Sequence, residues 1–98
     1  AEAELEGMRV MTLSEVRSAY ARARAAKRLF ELYRTSLLPQ AEAALSVAEA
    51  GYQSDKSSFM DLLDAQRSWL DFRVEHLRRG AEYEQRLAEL ERAVGKGL

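Results

Sequence analysis

The chain has 98 residues, enough for one small domain that leaves much of its surface outside any core it can build, so association with other chains is expected. Charged residues make up 32% while glycine (5) and proline (1) are few, the balance of long helices rather than of loop-rich folds. A formal charge of -1 argues against a nucleic-acid partner, which needs a net basic face, and without cysteine there is no disulfide framework, thiolate nucleophile or cysteine zinc site.

The charge is unevenly spread. Lys and Arg against Asp and Glu give -2 over residues 1–12, +4 over 13–39, -4 over 40–75 and +1 over 76–98. A chain folded back near its middle therefore has an acidic turn end and a basic remote half.

The first predicted element is a helix over about residues 3–52. Val16, Tyr20, Ala23, Ala26, Phe30, Tyr33, Leu37, Ala41, Ala44 and Ala48 recur in steps of three and four, one helical stripe. Leu5 and Met8 extend it upstream. Thr12 and Glu15 have capping-box spacing and offer a later start, but the earlier one, with fraying first turns, is favoured. Pro39 lies inside the stripe, which continues in phase beyond it, so a kink is expected there rather than a stop.

Apolar periodicity breaks at Gly51, Tyr52, Gln53, Ser54, Asp55, Lys56, Ser57 and Ser58, which read as a tight turn. Ser58 followed by Asp61 marks a new helix start, with Asp64 adding charge near its N-terminus. The second helix is predicted over about 58–94, with a stripe at Phe59, Leu63, Leu70, Val74, Leu77, Ala81, Ala88 and Val94 and a stop at Gly95 and Gly97. The fold class is all-α, a long antiparallel helical hairpin of coiled-coil type.

In such a hairpin facing residues have position numbers adding to a constant. That pairs Tyr52 with Phe59, Ala48 with Leu63, Ala41 with Leu70, Leu37 with Val74, Phe30 with Ala81 and Ala23 with Ala88, apolar throughout and often small against large. Leu62, Trp69, Phe72, Tyr83, Leu87 and Leu90 then fall outside the seam, so further helices are expected to pack on it.

Catalysis has little support. The single histidine, His76, stands among Glu75, Arg78 and Arg79 and reads as a solvent-facing helix residue; Arg22, Arg24, Arg28 and Glu31 resemble a small helical active site only in composition. Met8 and Met11 are a thin basis for a soft-metal site, so no metal and no cofactor are expected. No apolar stretch approaches the roughly 20 residues that cross a bilayer, and the acidic start is unlike a signal peptide, so this segment is expected to be soluble and to make no membrane contact. Asp61 and Asp64, three apart on one side of a helix, either cap that helix and complement its dipole or, repeated by symmetry, form a ring of carboxylates that favours cations.

The stretch GYQSDKSSFMDLLDAQRSWLDFR, preceded by LLPQAEAAL, resembles the TolC-like outer-membrane factor family of efflux channels. LLPQA at Leu37 to Ala41 and LLDAQR at Leu62 to Arg67 are closest to the branch serving heavy-metal efflux, and similarity extends from about Glu4 to Gly95. The resemblance implies one periplasmic hairpin of a homotrimeric channel, whose membrane strands are not in this chain, working with a periplasmic adaptor protein and an inner-membrane transporter in a tripartite pump. It places Asp61 and Asp64 at the constricted tunnel entrance and Gly51 to Ser58 at the adaptor-facing tip. It also marks two departures: Asp55 stands where the family commonly has glycine, a position expected to need positive φ, and Ser57 stands where some members have arginine. In isolation the chain is expected to self-associate as a four-helix dimer. The alternative from another class is a coiled-coil interaction module with no pore, such as the hairpin of a periplasmic adaptor.

Overall fold

The computed structural model describes residues 2–97. Helix α1 (Glu2–Leu32) passes through a π turn at Tyr33–Leu37 into α2 (Leu38–Gln53), and after the turn α3 (Phe59–Gly97) runs back along both. The molecule is a rod of 78 × 15 × 14 Å, the hairpin expected from the sequence. The early start of α1 is realised and Thr12 lies within it, whereas Gly95 does not stop α3.

A 15 Å cross-section is that of two helices side by side, and it dictates what can be buried. Among the described residues the only buried apolar ones are Ala19, Ala23, Ala26, Ala41 and Ala93. Four of these stand on the α1–α2 strand of the hairpin, where small side chains let the facing helix approach closely. The large residues that fill the seam come mainly from α3: Leu62, Trp69, Phe72, Tyr83, Leu87 and Leu90 are all half-buried.

This corrects the seam of α3. Leu70, Val74, Leu77, Ala81 and Val94, expected to face α1 and α2, are exposed, with Leu70 at 54% and Leu77 at 66%. Residues expected to lie outside the seam form it. Phe72 meets Tyr33 with ring centroids 6.2 Å apart, and Tyr83 stacks on Phe30 at 6.1 Å. Of the expected pairs, Tyr52 with Phe59 is made, at 5.9 Å. Near Ala41, by contrast, the side chains sharing its groove are Ala65, Ser68 and Phe72 rather than Leu70. His76 is not solvent-facing either. Its ring stacks on Phe30 at 5.1 Å and 12°, and its Nδ1 is enclosed without a hydrogen-bond partner.

The π turn accounts for Pro39. The Leu38 N–H donates to the Tyr33 carbonyl, one residue further back than in an α-helix, and Thr35 Oγ1 donates to the Glu31 carbonyl at 2.7 Å. An α-helical Pro39 would lack the bond to the Thr35 carbonyl and crowd it with its ring. The widened turn falls around that carbonyl and absorbs one extra residue. The seam consequently shifts phase: upstream it reads Val16, Ala19, Ala23, Ala26, Phe30, Tyr33, and downstream Leu38, Ala41, Leu45, Ala48, one position later than strict continuation of the repeat. Leu45 is half-buried and Ala44, expected in the stripe, is exposed. The anticipated kink is thus a local widening in a rod that stays straight.

Candidate functional site

The turn end is the one part of the rod where backbone, polar and apolar features converge. α2 closes with a left-handed residue: Asp55 has φ 58, the Lys56 and Ser57 N–H groups donate to the Gly51 carbonyl at 2.8 and 3.1 Å, and Asp55 N–H donates to Tyr52 O at 3.2 Å. This pattern of long backward bonds satisfies carbonyls that a helix end leaves free, and it normally uses glycine at the left-handed position. The positive φ inferred at Asp55 is therefore observed. Asp55→Gly should stabilise the hairpin by about 1 kcal/mol, because the left-handed conformation costs an L-residue side chain roughly that much. A thermal melt that shifts downward would contradict the assignment.

Gly51 has a different reason for being glycine. It lies in α2 with negative φ, but a Cβ there would stand 2.4 Å from Ser57 Oγ and 3.2 Å from Ser57 Cβ. The returning chain packs directly on its backbone. Ser57, half-buried, also donates from Oγ to Ala48 O at 3.4 Å, and Ser54 Oγ donates to Ala50 O at 2.9 Å.

On the other side of the turn the capping box is reciprocal. Ser58 Oγ accepts from the Asp61 N–H at 3.1 Å, and Asp61 Oδ2 accepts from the Ser58 N–H at 3.2 Å. One Asp61 oxygen is thereby engaged in starting α3. Asp64, one turn on, makes no ion pair among the described residues and lines a groove of about 350 Å³ with Gln40, Ala44 and Ser68. Both carboxylates are exposed, and among the described residues neither meets a basic side chain within 4 Å.

Sequence reasoning missed the groove that joins these features. Ala44 also lines a second groove, of about 500 Å³, with Val47, Ala48, Ala50, Gly51, Ser54, Lys56 and Ser57. The two run together along one flank from the tip to Asp64. Val47 stands in it at 73% exposure. The signal was present in the sequence as Ala44 and Val47 falling out of phase with Ala41, Leu45 and Ala48, which the one-residue shift at the π turn concealed.

Away from the tip several charged side chains hold one another. Arg79 bridges Glu82 at 3.1 Å and Glu75 at 3.0 Å, Arg86 reaches Glu89 at 3.2 Å, and Arg22 approaches Glu89 across the hairpin at 3.9 Å. Arg34, bonded to Glu31 at 2.6 Å, holds that carboxyl below its ordinary range. Arg22 and Glu31 are thus engaged in ion pairs, while Arg24 and Arg28 line an open groove of about 410 Å³ with Tyr20, Lys27, Tyr83 and Leu87, to which Arg22 and Glu31 do not contribute.

The arrangement defines a class: a helical rod that presents a shaped, partly apolar tip. The sequence model of the outer membrane efflux protein family matches residues 1–96, nearly the whole chain, and the chain belongs to that family. It is therefore a component of an outer-membrane efflux system, a transport protein rather than a member of an enzyme family. Neither the comparison with curated proteins nor that with solved structures produced a match. No helix among the described residues is long and apolar enough to cross a membrane.

Proposed function

We propose that this hairpin is the periplasmic tunnel-entrance element of a homotrimeric outer-membrane channel, docked at its tip by a periplasmic adaptor protein and fed by an inner-membrane transporter. The observation that carries the reading is the exposed, unpaired acidic pair Asp61 and Asp64 beside the turn of a chain that belongs to the efflux family. Asp61 is held at the helix start by the capping box, and Asp64 follows one turn on. Repeated around a three-fold axis, they make a ring that raises the local concentration of cations and opposes anions. LLPQA and LLDAQR are closest to the branch that serves heavy-metal efflux, and the channel is assigned to such a system. The tip, Gly51 to Ser58, together with the groove past Val47, offers the adaptor an apolar slot with small residues on its floor.

The channel opens when partners spread the coils and carries out no covalent step. Asp61→Asn with Asp64→Asn in the full-length parent removes both charges and keeps an acceptor for the Ser58 N–H. The cation-to-anion permeability ratio in planar bilayers should fall severalfold. An unchanged ratio rejects the gate assignment.

Exposed Leu70, Val74 and Leu77 form a second apolar stripe on α3. In the parent it packs against neighbouring hairpins. Alone, the chain covers it by self-association as a four-helix dimer.

A further inference from the structure

We infer that His76 makes the middle of the rod a proton-sensitive joint: with a neutral imidazole the two arms stay closed around Phe30, and protonation of the ring loosens them there. The joint belongs to the hairpin itself and does not depend on what docks at the tip.

His76 is the one histidine of the chain, the side-chain type whose charge ordinarily changes between mild acid and neutrality. Its ring lies nearly parallel to Phe30 across the seam, with 5.1 Å between centroids and 12° between planes. Its Nδ1 is enclosed and has no hydrogen-bond partner. A neutral imidazole tolerates that position, because its proton can sit on Nε2 and leave a bare lone pair at Nδ1. An imidazolium does not, since both ring nitrogens then carry protons. The Nδ1–H becomes a charged donor shut away from water and from any acceptor. The face of Phe30 attracts a cation, but less strongly than an enclosed, unpaired charged donor costs.

No neighbouring carboxylate is free to offset that cost. On α3, Glu75 is bonded to Arg78 at 3.1 Å and to Arg79 at 3.0 Å, and Glu82 is held by Arg79 at 3.1 Å. Arg73, three residues before His76, stands over Trp69; Arg79, three residues after it, has its Nε enclosed. Two cations therefore flank the ring along its own helix. Across the seam the charged groups around Phe30 are Lys27, Arg28, Glu31 and Arg34, and Glu31 lies beside Lys27 and is bonded to Arg34 at 2.6 Å. Tyr33 and Tyr83 are the remaining titratable side chains of the cluster.

The joint falls where aromatic contacts tie the arms: Phe30 with His76 and Tyr83, and Tyr33 with Phe72. Between the π turn and the tip, Ala41 is the only buried apolar side chain among the described residues. Loosening at Phe30 therefore releases the tip half from the half held at Ala19, Ala23 and Ala26. Stability is full while the ring is neutral and is lost as the solution is acidified through the range in which histidine takes up its proton.

Thermal melts of the 98-residue chain at one protein concentration, followed by circular dichroism, test this. Between about pH 7.5 and about pH 5.5 the unfolding equilibrium constant should rise about fivefold and Tm should fall by about 5 °C. His76→Phe keeps a flat ring against Phe30 that takes up no proton, and its Tm should move by less than about 1 °C over the same interval. Carboxylates and chain ends are common to both proteins and cancel in that comparison. A flat profile for the unaltered chain overturns the joint, and so does an equal fall in His76→Phe. Proton uptake needs no variant: unfolding the unaltered chain in urea at about pH 6, in weakly buffered solution, should take up about half a proton per chain. An unfolding transition without uptake overturns the joint as well.

Discussion

Phe30→Ala should cost the isolated hairpin about 2–4 kcal/mol, a large part of what a rod this thin holds in reserve. Phe30 stacks on His76 at 5.1 Å and on Tyr83 at 6.1 Å. On the facing helix Gly80 makes room for it, since a Cβ there would come within 3.2 Å of the Phe30 ring edge. Truncation leaves a gap that glycine cannot fill. It also uncovers His76, whose Nδ1 is enclosed. For a chain of this length a loss of about 2–4 kcal/mol lowers the melting temperature by roughly 10–25 °C. A fall of less than about 3 °C on a circular-dichroism melt would mean that the ring does not join the helices, on the same conversion. The double change Phe30→Ala with Gly80→Leu refills the gap from the other side and should recover part of the loss.

The chain direction reversal and the two helices were legible in the sequence, because each rests on local chemistry, whereas the special backbone at Asp55 was expected only from the glycine common at that position in the family the chain resembles. A polar run with Gly51 at its head breaks a helix wherever it occurs, and Ser58 with Asp61 caps the next one by a contact that spans three residues. The partners across the seam were legible only next to the turn, at Tyr52 and Phe59. Further away two features defeated the reading. α3 carries two interleaved stripes with the same steps of three and four, one through Leu62, Trp69, Phe72 and Tyr83 and one through Leu63, Leu70, Leu77 and Ala81. Periodicity shows that both exist, not which faces the other helix. What decides is the alanine-lined surface of α1, which needs bulky partners to fill it, and the aromatic stripe is the bulkier. The second feature is the π turn. One inserted residue at Tyr33–Leu37 changes which residues of α2 reach the seam, and strict counting then selects Ala44 in place of Leu45 and misses the groove beside Val47.

His76 shows the same limit from the side of polarity. Neighbouring charges made it look like a surface residue, yet Glu75, Arg78 and Arg79 point to solvent or to one another while the imidazole, in phase with Phe72 and Tyr83, is carried into the seam. Charge density in sequence describes a segment of helix, whereas burial is decided residue by residue around its circumference.

Ala23→Trp tests whether the seam is defined by close approach or merely tolerates small residues. Ala23 is 4% exposed and shares its surroundings with Tyr83 and Leu87, and Ala19 and Ala26, one turn to either side, are equally buried. An indole inserted there has no room between the helices and adjoins only the open groove beside Tyr83 and Leu87. Either the helices separate over that turn, exposing Tyr83 and Leu87, or the ring is forced off its preferred rotamers; each outcome costs about 2–3 kcal/mol. The corresponding fall in melting temperature is roughly 10–20 °C. Ala25→Trp, two residues along on the exposed side of the same helix, adds the same bulk where nothing opposes it and should leave the melt within about 3 °C of the unmodified hairpin, the range of a neutral surface change. If both substitutions behave alike, close packing of alanines is not what joins the helices, and the rod must owe its stability to the aromatic contacts around Phe30 and Tyr33 alone. If only Ala23→Trp is destabilising, the same close approach fixes which stripe of α3 turns inward, and with it the Leu70, Val74 and Leu77 stripe that is left outside for a neighbouring hairpin.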